Sequence, residues 1–143
     1  SLGRLEHEQK RYEEAMELYR MSEEVLCNFK DSEAYSALVS NMGLCFEEMG
    51  DYNSAIVRKK EAVGLTLKKD GPAHPSYAAS VHNLGAAFFK MKRFDEAVLR
   101  QEEALAIFRK VYGDKHPTTI GCMECLAAAR DGIARQGEGP RRP

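Results

Sequence analysis

One pattern occurs three times along this chain, and its spacing limits the possible folds more than any single residue does. The copies are Leu2-Gly3…Tyr12-Glu13-Glu14-Ala15, Met42-Gly43…Tyr52-Asn53-Ser54-Ala55 and Leu84-Gly85…Phe94-Asp95-Glu96-Ala97, separated by 40 and then 42 residues. A fixed period in this range marks a stacked array, in which each unit buries its apolar face only against its neighbours. The 143 residues have room for about three such units.

Within each copy the apolar residues keep helical spacing, as Ala15, Met16, Tyr19, Val25 and Leu26 do over 12–28. The same periodicity predicts helices over Glu33–Met49, Tyr52–Lys69, Ser76–Met91, Phe94–Val111 and Thr118–Arg135. Leu2–Glu8 reads as the end of an earlier helix, followed by a turn at Gln9-Lys10-Arg11. Asp31 or Ser32 is placed to cap the next helix, and Gly50-Asp51 is a helix stop. Asp70-Gly71-Pro72-Ala73-His74-Pro75 and Gly113-Asp114-Lys115-His116-Pro117 are two copies of one junction, 42 residues apart. Their prolines suit a first helical turn, where the missing N–H costs nothing. Recurrence within that junction assigns His74 and His116 to shaping the turn rather than to metal binding.

The expected organisation is a truncated first repeat over 1–30, full repeats over 31–70 and 71–112, a capping helix over 113–135 and a flexible tail over 136–143. Because Ser1-Leu2-Gly3 already lies inside a repeat, the chain reads as a piece of a longer protein.

Composition removes several function classes. Net charge is −1 and the pI about 6.4, so no global basic field would recruit nucleic acid or an anionic membrane. No apolar run approaches the roughly 18 residues of a membrane span. Cys27, Cys45, Cys122 and Cys125 are too scattered for a secreted disulfide framework, which points to a reduced, cytoplasmic setting. Cys122-Met123-Glu124-Cys125 is a lone C-x-x-C without the second ligand pair that structural zinc needs, so packed helical cysteines are expected. The chain has no P-loop, no G-x-S-x-G turn and no H-E-x-x-H helix, so neither an enzyme nor a cofactor or metal is expected.

The repeated residues resemble the tetratricopeptide repeat. The matches are Gly43, Phe46, Gly50, Tyr52, Ala55 and Ala62 in the second copy, and Gly85, Ala87, Phe88, Phe94, Ala97 and Ala104 in the third. The first copy keeps Gly3, Tyr12, Ala15 and Ser22, and Ala127 replaces the glycine in the last helix. The resemblance implies an all-α fold of antiparallel helix pairs stacked into a right-handed superhelical solenoid. The 42-residue step and the Gly-x-x-His-Pro junction are similar to the repeats of kinesin light chains, which bind cargo adaptors. The 40-residue first step, through Lys30-Asp31-Ser32-Glu33-Ala34, is closer to the repeats of spindle-orienting G-protein modulators.

The resemblance also implies that the first helix of each pair lines a concave groove. That register holds Ser40, Asn41, Leu44, Glu47 and Glu48 in the second repeat, and His82, Asn83, Ala86, Phe89 and Lys90 in the third. Asn41 and Asn83 occupy equivalent places, and an amide that both donates and accepts can clamp an extended peptide backbone. Glu8, Glu47, Glu48, Glu124 and Asp131 outnumber Arg4 and Lys90 there, which favours a basic or neutral partner segment. Ala79 and Asn83 stand where repeats that grip acidic chaperone tails need basic residues, so that specialisation is not expected. The expected function is an adaptor or scaffold that binds a protein or peptide in its groove. One alternative is an architectural subunit of a cytoskeletal or ciliary assembly that uses its convex or end surfaces, the truncated end allowing self-association. Another is a regulatory segment of a longer enzyme.

Overall fold

Side chains just before several helices take up the first free amides. Ser32 Oγ accepts from Tyr35 N at 3.1 Å, His74 Nδ1 from Ser76 N at 3.0 Å and His116 Nδ1 from Thr118 N at 3.1 Å. The two junction histidines are therefore caps, in keeping with the turn-shaping role expected of them. The computed structural model describes residues 2–30 and 32–138, so the alternative cap Asp31 lies outside the described residues. Six helices follow in order: α1 (Leu2–Leu26), α2 (Glu33–Glu48), α3 (Tyr52–Asp70), α4 (Pro75–Lys90), α5 (Phe94–Tyr112) and α6 (Pro117–Glu138). Among the described residues there is no strand. α6 continues to Glu138, past the tail start expected at 136; 139–143 lie outside the described residues.

The turn expected at Gln9-Lys10-Arg11 is absent, and α1 runs through it without a break. In the second repeat the matching turn has Gly50 at φ 84°, a left-handed conformation that costs glycine little. The third repeat forces Lys92 to φ 62° at the same place. There the turn is held from outside: Arg93 lies 4.8 Å over the Phe88 ring and bonds Glu96 at 3.0 Å, while Phe94 packs edge-on against Phe89 at 5.3 Å. Lys10 and its neighbours are good helix formers with no glycine or proline among them, so the helix continues.

The chain divides into two compact units, one up to Leu65 and one from Thr66. In the first unit Met16 packs with Leu38, Met42 and Cys45, joined by Tyr12, Ala15, Tyr19, Leu26 and Phe46. In the second, α5 packs on α4 and α6 packs on α5. Its core includes Val81, Leu84, Ala87, Phe88, Ala104, Leu105, Phe108, Cys122, Leu126 and Ala129, all at most 5% exposed.

Equivalent polar contacts lock each helix pair. Tyr35 Oη donates to Glu61 Oε2 at 2.6 Å, and 42 residues on Tyr77 Oη donates to Glu103 Oε2 at the same distance. Arg58 and Arg100 reach those glutamates at 3.2 and 3.5 Å. Burial and then the bond to Glu61 push the Tyr35 phenol up to about 12. For Tyr77 the bond to Glu103 comes first and burial second, again upward. Each phenol stays protonated as a donor to its carboxylate.

Candidate peptide-binding faces

In the second unit the third-repeat glycine sets how closely α4 and α5 approach. A Cβ on Gly85 would lie 2.7 Å from Gln101 Nε2 and 3.1 Å from Arg100 Cβ, so only glycine leaves room for the Gln101 amide. Gln101 is 1% exposed and joins three helices. Its Nε2 donates to the His82 carbonyl at 3.1 Å, which leaves Oε1 to accept from His82 Nδ1–H at 2.6 Å. Cys122 Sγ on α6 lies 3.3 Å from the same oxygen. The amide thus uses both its ends inside the core, as a buried polar group must. Gly132 on α6 plays a similar part against Phe94, since a Cβ there would sit 2.7 Å from the ring.

These approaches leave a pocket of about 250 Å³ between the α4 and α6 faces, lined by Gly85, Ala86, Phe89, Lys90, Ala97, Gln101, Glu124, Cys125 and Ala128. Phe89 is 38% exposed, with its ring braced by Phe94. Lys90 and Glu124 are exposed, as is Asn83, which lies on α4 but does not line the pocket. His82, expected to face a partner, is half-buried and turned to Gln101.

In the first unit Asn41, Leu44 and Glu48 are exposed on α2, Leu44 by 53%. Glu47 departs from its expected role as a groove acid. Its Oε2 sits 2.5 Å from Lys59 Nζ on α3, with each side chain 9% exposed, so its charge is met inside the unit. Asp131, expected among the groove acids, pairs at the surface with Arg135 at 2.9 Å. The side chain of Arg4 lies outside the described residues.

The two cysteines of the C-x-x-C segment, Cys122 and Cys125, are poor nucleophiles. Burial pushes the Cys122 thiol up to about 11, and burial with the Glu124 charge raises Cys125, so neither supplies thiolate near neutrality. Among the described residues no group of three or more His, Cys, Asp or Glu is placed to hold a metal ion. No helix among them is long and apolar enough to cross a membrane.

The tetratricopeptide repeat family matches this sequence at 33–110 and 77–138. The chain is a tetratricopeptide-repeat protein. Its fold is that of an all-α tetratricopeptide-repeat solenoid, and this fold serves generally as a scaffold for protein–protein interaction. Among solved structures it is similar to a Podosopora anserina protein described as a kinesin light chain with nearly identical TPR-like repeats. That match has a TM-score of 0.74 at 22% identity and covers 98% of this chain and 74% of the other. It is also similar to BtubC (BKLC) from P. vanneervenii, with a TM-score of 0.68 at 18% identity, covering 94% of this chain and 62% of that one. No curated protein matches the sequence.

The tetratricopeptide-repeat residues that sequence reading missed are the inward ones: Tyr35 and Tyr77, Arg58 and Arg100, Glu61 and Glu103, and Gln101. The first three pairs each recur 42 residues apart, a signal available from the sequence. For Gln101 no such signal existed, because Lys59 holds the equivalent place.

Proposed function

We propose that this chain is a non-catalytic recognition module whose second unit binds an extended, basic or neutral peptide on the α4–α6 face. The observation that carries the reading is the pocket of about 250 Å³ with half-exposed Phe89 at its edge. Ligand sites are typically concave and mostly apolar with a few polar groups, and this pocket has that character. A large apolar side chain of the peptide fills it, Glu124 favours a neighbouring Lys or Arg, and the Asn83 amide bonds the peptide backbone. Asn41, beside exposed Leu44, performs the same backbone role on the first unit. Such a contact suits a transient adaptor or scaffold in the cytoplasm, with an affinity of about −8 kcal/mol, or micromolar.

The test is fluorescence anisotropy with a library of labelled peptides that vary in charge and in one apolar anchor. Ala128→Leu, which fills the pocket from an exposed position, and Asn83→Ala should each weaken the best binder at least tenfold, about 1.4 kcal/mol. Circular dichroism checks that both remain helical. Undiminished binding by both folded variants would remove the α4–α6 face from consideration.

A further inference from the structure

Phe94, Ala97 and Gln101 stand on one face of α5, at steps of three and four residues. The outer two each reach both α4 and α6. Gln101 bonds the His82 carbonyl on α4 at 3.1 Å, and its Oε1 lies 3.3 Å from Cys122 Sγ on α6. Phe94 packs edge-on against Phe89 of α4 at 5.3 Å, and its ring lies so close to α6 that a Cβ on Gly132 would sit 2.7 Å away. Ala97, between them, is short and fully buried, and it lines the pocket. The pocket is therefore the space that an alanine leaves between two larger rungs.

Hydrogen bonds fix the Gln101 rung, whereas the Phe94 rung is a stack of two rings on a glycine. Phe94 does not itself line the pocket, but Phe89 does, and Phe89 is the more open ring. Edge-on aromatic contact has a preferred geometry, so Phe94 fixes where the Phe89 ring stands at the pocket's edge. The end of α6 holds the same corner, since Gln136 Nε2 donates to the Lys92 carbonyl at 3.2 Å in the α4–α5 turn. All three copies keep an aromatic here, as Tyr12, Tyr52 and Phe94. The position of Phe89, however, is His7 and Glu47 in the earlier copies. The pair of rings belongs to this site and not to the repeat pattern.

We propose that Phe94 is a positioning residue for the peptide site: by bracing Phe89 it sets the size of the apolar side chain that the pocket admits. The role rests on the α4–α6 face being a peptide site. Shortening Phe94 opens a space between Gly132 and Phe89, because packed surroundings close a cavity only in part. Phe89 then withdraws into that space and the pocket widens, so a larger anchor gains on a smaller one.

The experiment compares two labelled peptides that differ only in a leucine or a tryptophan anchor, by fluorescence anisotropy with the 143-residue chain. Phe94→Leu should raise the tryptophan-to-leucine affinity ratio about tenfold, the scale on which an apolar pocket discriminates by size. Phe94→Met, which removes the ring but keeps most of its bulk, should move the ratio the same way, and it decides the matter if circular dichroism shows Phe94→Leu unfolded. Phe94→Tyr, the residue of the earlier copies, should keep the parent ratio. Tyr77→Phe loosens the α4–α5 pair through its lost bond to Glu103 and leaves the two rings alone, so it should keep the ratio too. A general loss of stability lowers both affinities together and cannot move their ratio. If both peptides bind but the ratio is unchanged without the ring, or changes equally in Tyr77→Phe, the role of Phe94 is overturned while the peptide site stands. No binding of either peptide to the parent overturns the peptide site, and this role with it.

Discussion

Replacing Lys59 by methionine tests whether the buried ion pair is a liability as well as a contact. Lys59 Nζ and Glu47 Oε2 are 2.5 Å apart and each side chain is 9% exposed. At an effective dielectric of 20 the attraction at that distance is about 6–7 kcal/mol. Desolvation of the two ions, several kcal/mol each, offsets most of it. The intact pair therefore contributes little net stability, but removing one partner of a buried pair costs about 3–5 kcal/mol. Residual solvent contact places Lys59→Met near 3 kcal/mol. The lysine stem also packs near Gly43, where a Cβ would lie 3.3 Å from Lys59 Cγ, and methionine preserves that stem. The double variant Lys59→Met/Glu47→Leu removes both charges and should return to within about 1 kcal/mol of the parent, a coupling near 2 kcal/mol or more. Urea and thermal unfolding followed by far-UV circular dichroism measure all four corners of the cycle. A Lys59→Met cost below about 1 kcal/mol, or single effects that add within about 0.5 kcal/mol, would refute the argument.

Two further outcomes follow from the same contacts. The Tyr35 phenol titrates near 10.0 when free and is pushed up to about 12 in the fold, so its stabilisation is complete below pH 10 and disappears as pH rises toward 12; Tyr35→Phe should flatten that alkaline decline in a pH series of unfolding curves, and an unchanged decline would place its origin elsewhere. Gly85→Ala and Gly132→Ala each bring a Cβ to 2.7 Å from a packed neighbour, Gln101 in one case and the Phe94 ring in the other. Each should cost about 1–3 kcal/mol, more than Gly43→Ala with its 3.3 Å contact, and a reversed order in thermal unfolding would contradict the packing described.

Much of the local structure was legible in the sequence because it depends on short-range chemistry. Helices α2 to α5 begin and end within about two residues of where periodicity and breakers put them, and the Gly-x-x-His-Pro junctions marked their turns, though not that the histidines cap the helices. The first repeat misled because its matching apolar residues implied a turn that Gln9-Lys10-Arg11 has no means to make. The candidate faces were legible only in part. Asn41, Leu44, Asn83, Phe89 and Lys90 are exposed in the register expected, while Glu47 and His82 turned inward to Lys59 and Gln101.

By itself the sequence determined an all-α repeat chain, the register of its copies and the places where helices start and stop, since those depend on residues a few positions apart. Tertiary structure decided which polar side chains were buried and with whom. Position 59 is a lysine that needs Glu47, whereas position 101 is a glutamine that satisfies itself on His82 with Phe89 at the place of Glu47. The repeat pattern treats the two sites as equivalent. Only the approach of neighbouring helices, which removes water from a charge or an amide and requires a partner within hydrogen-bonding reach, tells them apart.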